Sequence, residues 1–238
     1  SCPRPSGVSQ HERHAMRSEL FAPDHMERET QDQWALQSSK MLRVNMSQDI
    51  IATKGAMVAY QGQMTFTHEG SGSLGKFLKK AMTSEGGAMM RVSGQGEVFF
   101  ARQARNIFLI QLEGEAITVD SDSLLAFDGS LNWDIKRIQG AGFMAGGLFN
   151  LELSGHGFIA VCCDGEPMVL DASTQPTFVD PQAAVCWSTN LAPSIKNDFN
   201  FSGMFRGGSG EAFQLAFHGP GFVVVQPSEG VPVITTGS

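Results

Sequence analysis

Charge is scarce in this chain. Only 17% of its 238 residues are Asp, Glu, Lys or Arg, and the formal net charge is -7, whereas an ordinary globular protein carries about 25% charged residues. A sparsely charged, acidic chain has no general attraction for polyanions, which argues against unspecific DNA binding and adhesion to anionic membrane. Long hydrophobic runs are also missing. The uncharged stretch Ala212 to Ser228 is interrupted by Gln214, His218, Gly219, Pro220 and Gly221, and a spanning helix needs about 20 consecutive apolar residues. No transmembrane segment is expected. The four cysteines, two of them adjacent, make neither a disulfide framework nor a CxxC pair, so the thiols are read as reduced in a cytosol-like compartment. Glycine, by contrast, is plentiful at 27 residues, well above the usual share of about 7%. That composition points to an all-β chain with many tight turns.

Residues 1–40 read as an N-terminal extension or arm, since they hold His11, His14 and His25 and no strand-like alternation. Ser1 to Ala15 lacks the apolar region of a secretory signal, Ser1 to Ser18 forms no amphipathic transit helix, and Met16 reads as a natural start. His11 and His14 have no further ligands at fitting spacing, so a solvated tail is favoured over a metal site.

From residue 41 the text repeats itself with a period of about sixty residues, on the scale of structural repeats. Ser93-Gly94-Gln95-Gly96, Ser154-Gly155-His156-Gly157 and His218-Gly219-Pro220-Gly221 each sit between two strand-like runs. Before the first glycine, alternate positions are apolar in all three places: Val92, Met90 and Ala88; Leu153, Leu151 and Phe149; Phe217, Leu215 and Phe213. Period-two alternation places one face on a core and the other toward water. After the second glycine the runs are continuously apolar: Val98-Phe99-Phe100, Phe158-Ile159-Ala160-Val161 and Phe222-Val223-Val224-Val225. Such strands need cover on both faces. The six glycines Gly94, Gly96, Gly155, Gly157, Gly219 and Gly221 are therefore read as structural, allowing a bend or positive φ where a Cβ would clash.

An upstream element recurs more loosely: Ile51-Ala52 to Tyr60, Val119-Asp120 to Phe127, and Val179-Asp180 to Trp187. The expected architecture is one β domain over 41–228, built from three strand repeats (about 41–101, 114–163 and 174–226) with pseudo-threefold symmetry. A tail covers 229–238. Leu74, Phe77, Leu78 and Met82 give the only helical spacing, one short helix.

Several stretches imitate chemical motifs. Gly70-Ser71-Gly72-Ser73-Leu74-Gly75-Lys76-Phe77 matches a phosphate-binding loop except that Phe77 replaces the metal-holding hydroxyl. Gly140-Ala141-Gly142-Phe143-Met144-Ala145 fits a dinucleotide fingerprint but leads into a strand rather than a helix. Both read as connectors. Cys162 and Cys163 point to opposite faces of one strand and Cys186 lies beside Trp187, all three read as core thiols. The ligand-site candidates are His156 and His218, at comparable turn positions, and Trp133, in the alternating Asn132-Trp133-Asp134 run. Each also has a structural reading, as a surface turn histidine or a packed aromatic. No catalytic, cofactor or metal-binding residues are assigned.

Gly55-Ala56-Met57-Val58-Ala59-Tyr60, Val92 to Phe99, Glu113-Gly114-Glu115-Ala116, Leu125-Ala126-Phe127-Asp128, Val179-Asp180-Pro181 and Gly219 to Gln226 together resemble the altered-inheritance-of-mitochondria family, number twenty-four. The likeness covers about residues 20 to 228, and actinobacterial members look most similar. It implies a fold like that of the tryptophan RNA-binding attenuation protein, a short double-stranded β-helix or sandwich unit in tandem copies. The family has no established catalytic residues to carry over. Its yeast namesake implies a role in organising the mitochondrial inner membrane, and its bacterial members look like soluble cytoplasmic proteins.

The leading functional expectation is a non-enzymatic scaffold or binding protein of the bacterial cytoplasm, acting with a protein or membrane-associated partner. Single-stranded RNA or small-ligand binding rests on fold analogy alone, and the scattered basic residues disfavour RNA. A cupin-like metal enzyme is disfavoured because no HxH with a downstream acid and His is present. Outer strands leave edges through which copies of the chain can assemble into a ring or trimer.

Overall fold

The structure, a computed structural model, describes residues 17–68, 89–138, 149–196 and 214–228. The chain forms two compact units, Ser1–Gln31 and Asp32–Ser238. The described part of the first holds two single 3-10 turns, Glu19–Phe21 and Pro23–His25; the Ser18 side chain caps the first by accepting from the Leu20 N–H. The expected helix over Leu74 to Met82 lies outside the described residues, as do the motif-like loops Gly70 to Phe77 and Gly140 to Ala145.

Among the described residues the second unit is all β, and every strand pair is antiparallel. Its strands are β1 (Trp34–Ser38), β2 (Met41–Met46), β3 (Ile50–Thr53), β4 (Met57–His68), β5 (Met89–Phe100), β6 (Asn106–Asp120), β7 (Leu124–Asp128) and β8 (Asn132–Arg137). There follow β9 (Phe149–Cys163), β10 (Met168–Asp171), β11 (Thr177–Val179), β12 (Ala184–Ser188), β13 (Ser194–Lys196), β14 (Gln214–Phe217) and β15 (Phe222–Val225). A 12-stranded sheet runs β1-β2-β5-β3-β7-β9-β6-β12-β15-β10, with β4 on β5 and β8 on β9; a 3-stranded sheet runs β11-β14-β13. β1 forms within the stretch read as lacking strand pattern. Trp34 and Ala35 are consecutive buried residues, and a strand covered on both faces shows no alternation.

Each Gly-x-Gly marks the place where a strand exchanges one neighbour. β5 stays paired with β4 from Met90 to Phe100, while its other side passes from β3, ending at Val92, to β2, beginning at Gly96. β9 stays paired with β6 and passes from β8, ending at Ser154, to β7, beginning at Ile159. At Gly219-Pro220-Gly221 the chain crosses from the small sheet, where β14 pairs β11 and β13, to the large one, where β15 pairs β10 and β12. The three stretches share this exchange but differ in connectivity. In the first, the long partner β4 follows the short strands β2 and β3; in the second, the long partner β6 precedes β7 and β8.

The turn at the first exchange is sharp. Tyr60 and Phe66 are six residues apart on β4, a span of about 20 Å in a straight strand, yet their rings meet edge to face at 5.3 Å. The strand therefore folds over at Gly62, which lies opposite Gly96. A Cβ at Gly62 would fall on the carbonyl oxygen of Gln95, one at Gly94 on that of Gln63, and one at Gly96 on that of Gln61. All three glycines also have positive φ, a region L side chains avoid.

The continuously apolar runs are walls between cores. Ile50, Ala52, Ala126, Ala160 and Cys162 face one apolar cluster with Trp34, Val98 and Phe100; Ile51, Phe127, Ile159, Val161 and Cys163 face a second with Val119 and Leu153. A third cluster gathers Val179, Trp187, Leu215, Phe217 and Val223. Each fully buried large side chain contributes about 1.5–3 kcal/mol. The alternation expected before the glycines holds at Val92, Leu151, Leu153, Leu215 and Phe217, all buried. It fails at Met89, which was expected on the outer face and is buried in the second cluster, because the start of β5 has a core on that face too.

Substituting Gly96 by Val is expected to cost about 1–3 kcal/mol or more, from backbone strain and overpacking. Gly55, also at positive φ, has no heavy atom within 4 Å of a built Cβ, so Gly55→Ala meets only the backbone cost and should lower the melting temperature less. Equal melting temperatures for the two variants would contradict the crowded-corner account.

Candidate functional site

Two buried polar clusters are held by residues distant in sequence. The first centres on Asp128, the acid that ends the apolar strand β7, and is 2% exposed. Its Oδ1 accepts from Trp34 Nε1 at 3.0 Å and from Gln48 Nε2 at 2.7 Å, and its Oδ2 accepts from the Phe158 N–H at 2.6 Å. Its backbone carbonyl accepts from the Leu131 N–H at 3.1 Å. Gly157 makes this approach possible, since a Cβ there would lie 2.8 Å from Asp128 Oδ2. The carboxylate joins β1, the β2–β3 turn, β7 and β9 through three internal donors.

The second cluster centres on Arg105, 9% exposed. Its Nη1 donates to the Asp122 carbonyl at 2.9 Å and its Nη2 to Gln226 Oε1 at 2.9 Å, and Nε lies 2.9 Å from Asp164 Oδ1. Arg102 joins from its own side, donating to the Asp122 carbonyl at 2.9 Å. Gln226 is bound at both ends: Oε1 also accepts from the Asp164 N–H at 2.9 Å, while Nε2 donates to the Gln182 carbonyl at 3.0 Å. Between the two arginines, Gln103 and Ala104 both hold left-handed backbone, with φ of 50° and 55°. Tight hairpin turns of this kind favour Asn or Gly, so the arginine anchors hold a turn that its own residues do not favour.

Asp120 borders this cluster at the β6–β7 turn, where its Oδ2 accepts from the Asp122 N–H at 2.9 Å. Burial first, and the neighbouring Asp122 charge second, push its carboxyl up to about 7, against the pull of the turn N–H groups and Arg105. Burial likewise raises the thiols, Cys162 and Cys163 to about 11 and Cys186 to about 12. Thiols so placed stay protonated near neutral pH and are poor nucleophiles. Arg43 is buried as well and is paired with Glu97 across β2 and β5.

The ligand-site candidates are dispersed among different surroundings. Trp133 lies against the second apolar cluster, its ring edge to face with Phe127 at 6.2 Å. His156 is exposed on β9 at the bulge opposite Glu113, and with the backbone N–H of Glu113, the larger cause, it lowers the Glu115 carboxyl. His218 is exposed after β14. Among the described residues no hydrogen bond or register pair joins His156, His218 and Trp133, and no group of three or more His, Cys, Asp or Glu is placed to hold a metal ion. The six glycines lie in three separate pairs, one at each strand exchange. Sequence reasoning missed Asp128 and Arg105. The one signal for Asp128 is an acid closing the wholly apolar run Leu124 to Phe127.

Asp120 gives a pH prediction with a definite sign. Its folded value lies above the ordinary carboxyl value of about 3.9, so the folded state favours the protonated form. The stability it contributes is complete below about pH 4 and is lost as pH rises through about 7. Wild-type melting temperature should therefore fall more between pH 5 and pH 8 than that of Asp120→Asn, which keeps an acceptor oxygen for the Asp122 N–H. Parallel pH profiles would refute the assignment.

Against known proteins, the family described as Mitochondrial biogenesis AIM24 matches residues 34–228. The fold is similar to the crystal structure of a Streptococcus pyogenes protein, with a TM-score of 0.66 and 20% identity over 82% of this chain and 92% of that one. No curated protein matches. Among the described residues no helix is long and apolar enough to cross a membrane. A match that runs from Trp34 in β1 to Ser228, just past β15, places the chain in the Mitochondrial biogenesis AIM24 family.

Proposed function

We propose that this protein is a non-enzymatic binding protein, a scaffold of the bacterial cytoplasm that takes a protein partner, including one held at a membrane, on the β10–β15 end of its large sheet. The observation that carries the reading is apolar surface exposed at the β10–β15 end of the large sheet. In Phe222 to Val225, Val223 is buried and Val224 and Val225 pack half-buried on the second and third clusters, but Phe222 is 37% exposed. β10 beside it exposes Met168 by 56% and Val169 by 66%. Apolar surface gathered at one sheet end is a common mark of a protein-binding surface. The polar groups add support, because Asp128, Arg105 and Gln226 are engaged with internal partners and the three core thiols are held protonated.

The test uses the full chain with Met168→Lys and Val169→Lys, both at exposed positions where substitutions normally change stability by less than about 0.5 kcal/mol. Tagged wild-type protein should retain a near-stoichiometric protein partner from a host lysate, and the lysine variant should lose it while melting at the same temperature. Equal recovery by both would overturn the assigned surface. Turnover that survives repurification and depends on one polar side chain would overturn the non-enzymatic reading, and RNA retained at low salt would replace the protein partner.

A further inference from the structure

The strand β10 closes the order of the large sheet, and among the described residues only β15 pairs with it. Hydrogen bonds at its end fix which way its backbone faces. The Ala172 N–H donates to the Gly221 carbonyl at 2.9 Å, while the Phe222 N–H turns the other way, to Oγ of Ser188 on β12, at 3.0 Å. Backbone groups of an antiparallel strand alternate between its two sides. Met168 and Leu170 therefore bond β15, in register with Val225 and Val223, and the N–H and carbonyl of Val169 and Asp171 face outward.

Side chains are open there as well. Met168 and Val169 are successive, so they stand on opposite faces of the strand, and both are exposed. Outward backbone groups with apolar side chains exposed on both faces make an edge that an added strand completes, the main chain giving affinity and alternate side chains specificity.

Charge selects the kind of strand. There is no Lys or Arg from Ile138 to Ile195 or from Gly207 to Ser238, the stretches that supply β10 and β15. Acids bracket β10, since Glu166 is exposed before it and Asp171 is exposed at its end. Their hydrogen bonds come from neutral donors: Asn106 Nδ2 at 3.3 Å for Glu166 and the Ser173 N–H at 2.8 Å for Asp171. The Ser173 hydroxyl and N–H hold the Asp171 carboxyl below its ordinary value, so it is charged at neutral pH. Asp164, by contrast, is paired with Arg105. A ladder on 4 residues is short, which leaves the charges at its ends to decide what is held. A second copy of this chain is disfavoured as the occupant, because two β10 edges set the Glu166 and Asp171 carboxylates of both copies near one another.

We propose, resting on the assignment of the β10–β15 end as the partner-binding surface, that the partner binds by strand addition. An extended segment, apolar at its centre and carrying Lys or Arg at its ends, lies along β10 as the next strand of the large sheet.

The probe is a fluorescein-labelled peptide with a Val-Thr-Val-Thr-Val centre and a Lys pair at each end, titrated by anisotropy against the full chain. At low salt it should bind about tenfold more tightly than the same centre between Glu pairs. Glu166→Gln combined with Asp171→Asn should erase that preference. Methylating the central amide nitrogens of the peptide should abolish binding, since a strand joins through those groups. Val169→Pro removes an outward N–H and no bond to β15, a change that edge strands accept, and should weaken binding about tenfold, the loss of one ladder bond. Val169→Thr should bind as wild type does. Binding that survives amide methylation, equal affinity for the two peptides, or no binding of either by wild type overturns the strand addition. The surface itself is judged separately. A lysate partner lost by the lysine variant yet kept by Val169→Pro leaves the β10–β15 assignment standing and refutes the added strand.

Discussion

The buried carboxylate of Asp128 is the interaction on which the arrangement of the large sheet depends. Its partners Trp34, Gln48 and Phe158 lie 94, 80 and 30 residues away in sequence, so satisfying one side chain fixes β1, the β2–β3 turn and β9 against the end of β7. The contribution of such a group is asymmetric. Each hydrogen bond to a charged group contributes about 1.5–3 kcal/mol net, and a buried donor left without its acceptor costs a similar amount. Trp34 also stacks on Phe158 with ring centroids 6.1 Å apart, so two of the donors to one carboxylate belong to residues that pack on each other.

Around that knot the sheet works as a partition. β3, β7 and the second half of β9 present side chains to both cores, which is why their sequences are apolar except at the terminal Thr53 and Asp128. The same strands have to bend where they change neighbours, and glycine supplies the bend because at the first exchange the backbones approach too closely for any Cβ. Asp128 and Gly157 combine the two demands: the glycine leaves the space that the carboxylate occupies. The same reasoning separates covered from uncovered surface. Phe158 to Val161 lies largely between two cores, whereas Phe222 to Val225, with a similar composition, has a neighbour's exposed Met168 and Val169 beside it.

Local patterns carried much of this fold into the sequence. The alternation at Leu151 and Leu153, the doubly apolar run from Phe158 to Val161 and the opposed faces of Cys162 and Cys163 are properties of a few neighbouring residues, so periodicity displays them. Trp133, in another alternating run, packs half-buried on Phe127. Contacts made across the chain are invisible to periodicity. Nothing near Arg105 announces Gln226, 121 residues away, and Gly62 is a lone glycine in strand text until register sets it opposite Gly96. Met89 misleads because its outer face is outer only on the strand considered alone. His156 and His218 share a turn position, which carries no information about shared surroundings.

The central claim is that Asp128 couples the strands around it, and a double-mutant cycle measures that coupling most directly. Equilibrium denaturation of wild type, Trp34→Phe, Asp128→Asn and the double variant separates the Trp34–Asp128 term from the cost of each substitution. The account predicts a coupling energy of about 1–3 kcal/mol, as for residues sharing one buried hydrogen-bond network. Strict additivity within about 0.3 kcal/mol, the behaviour of independent sites, would contradict it.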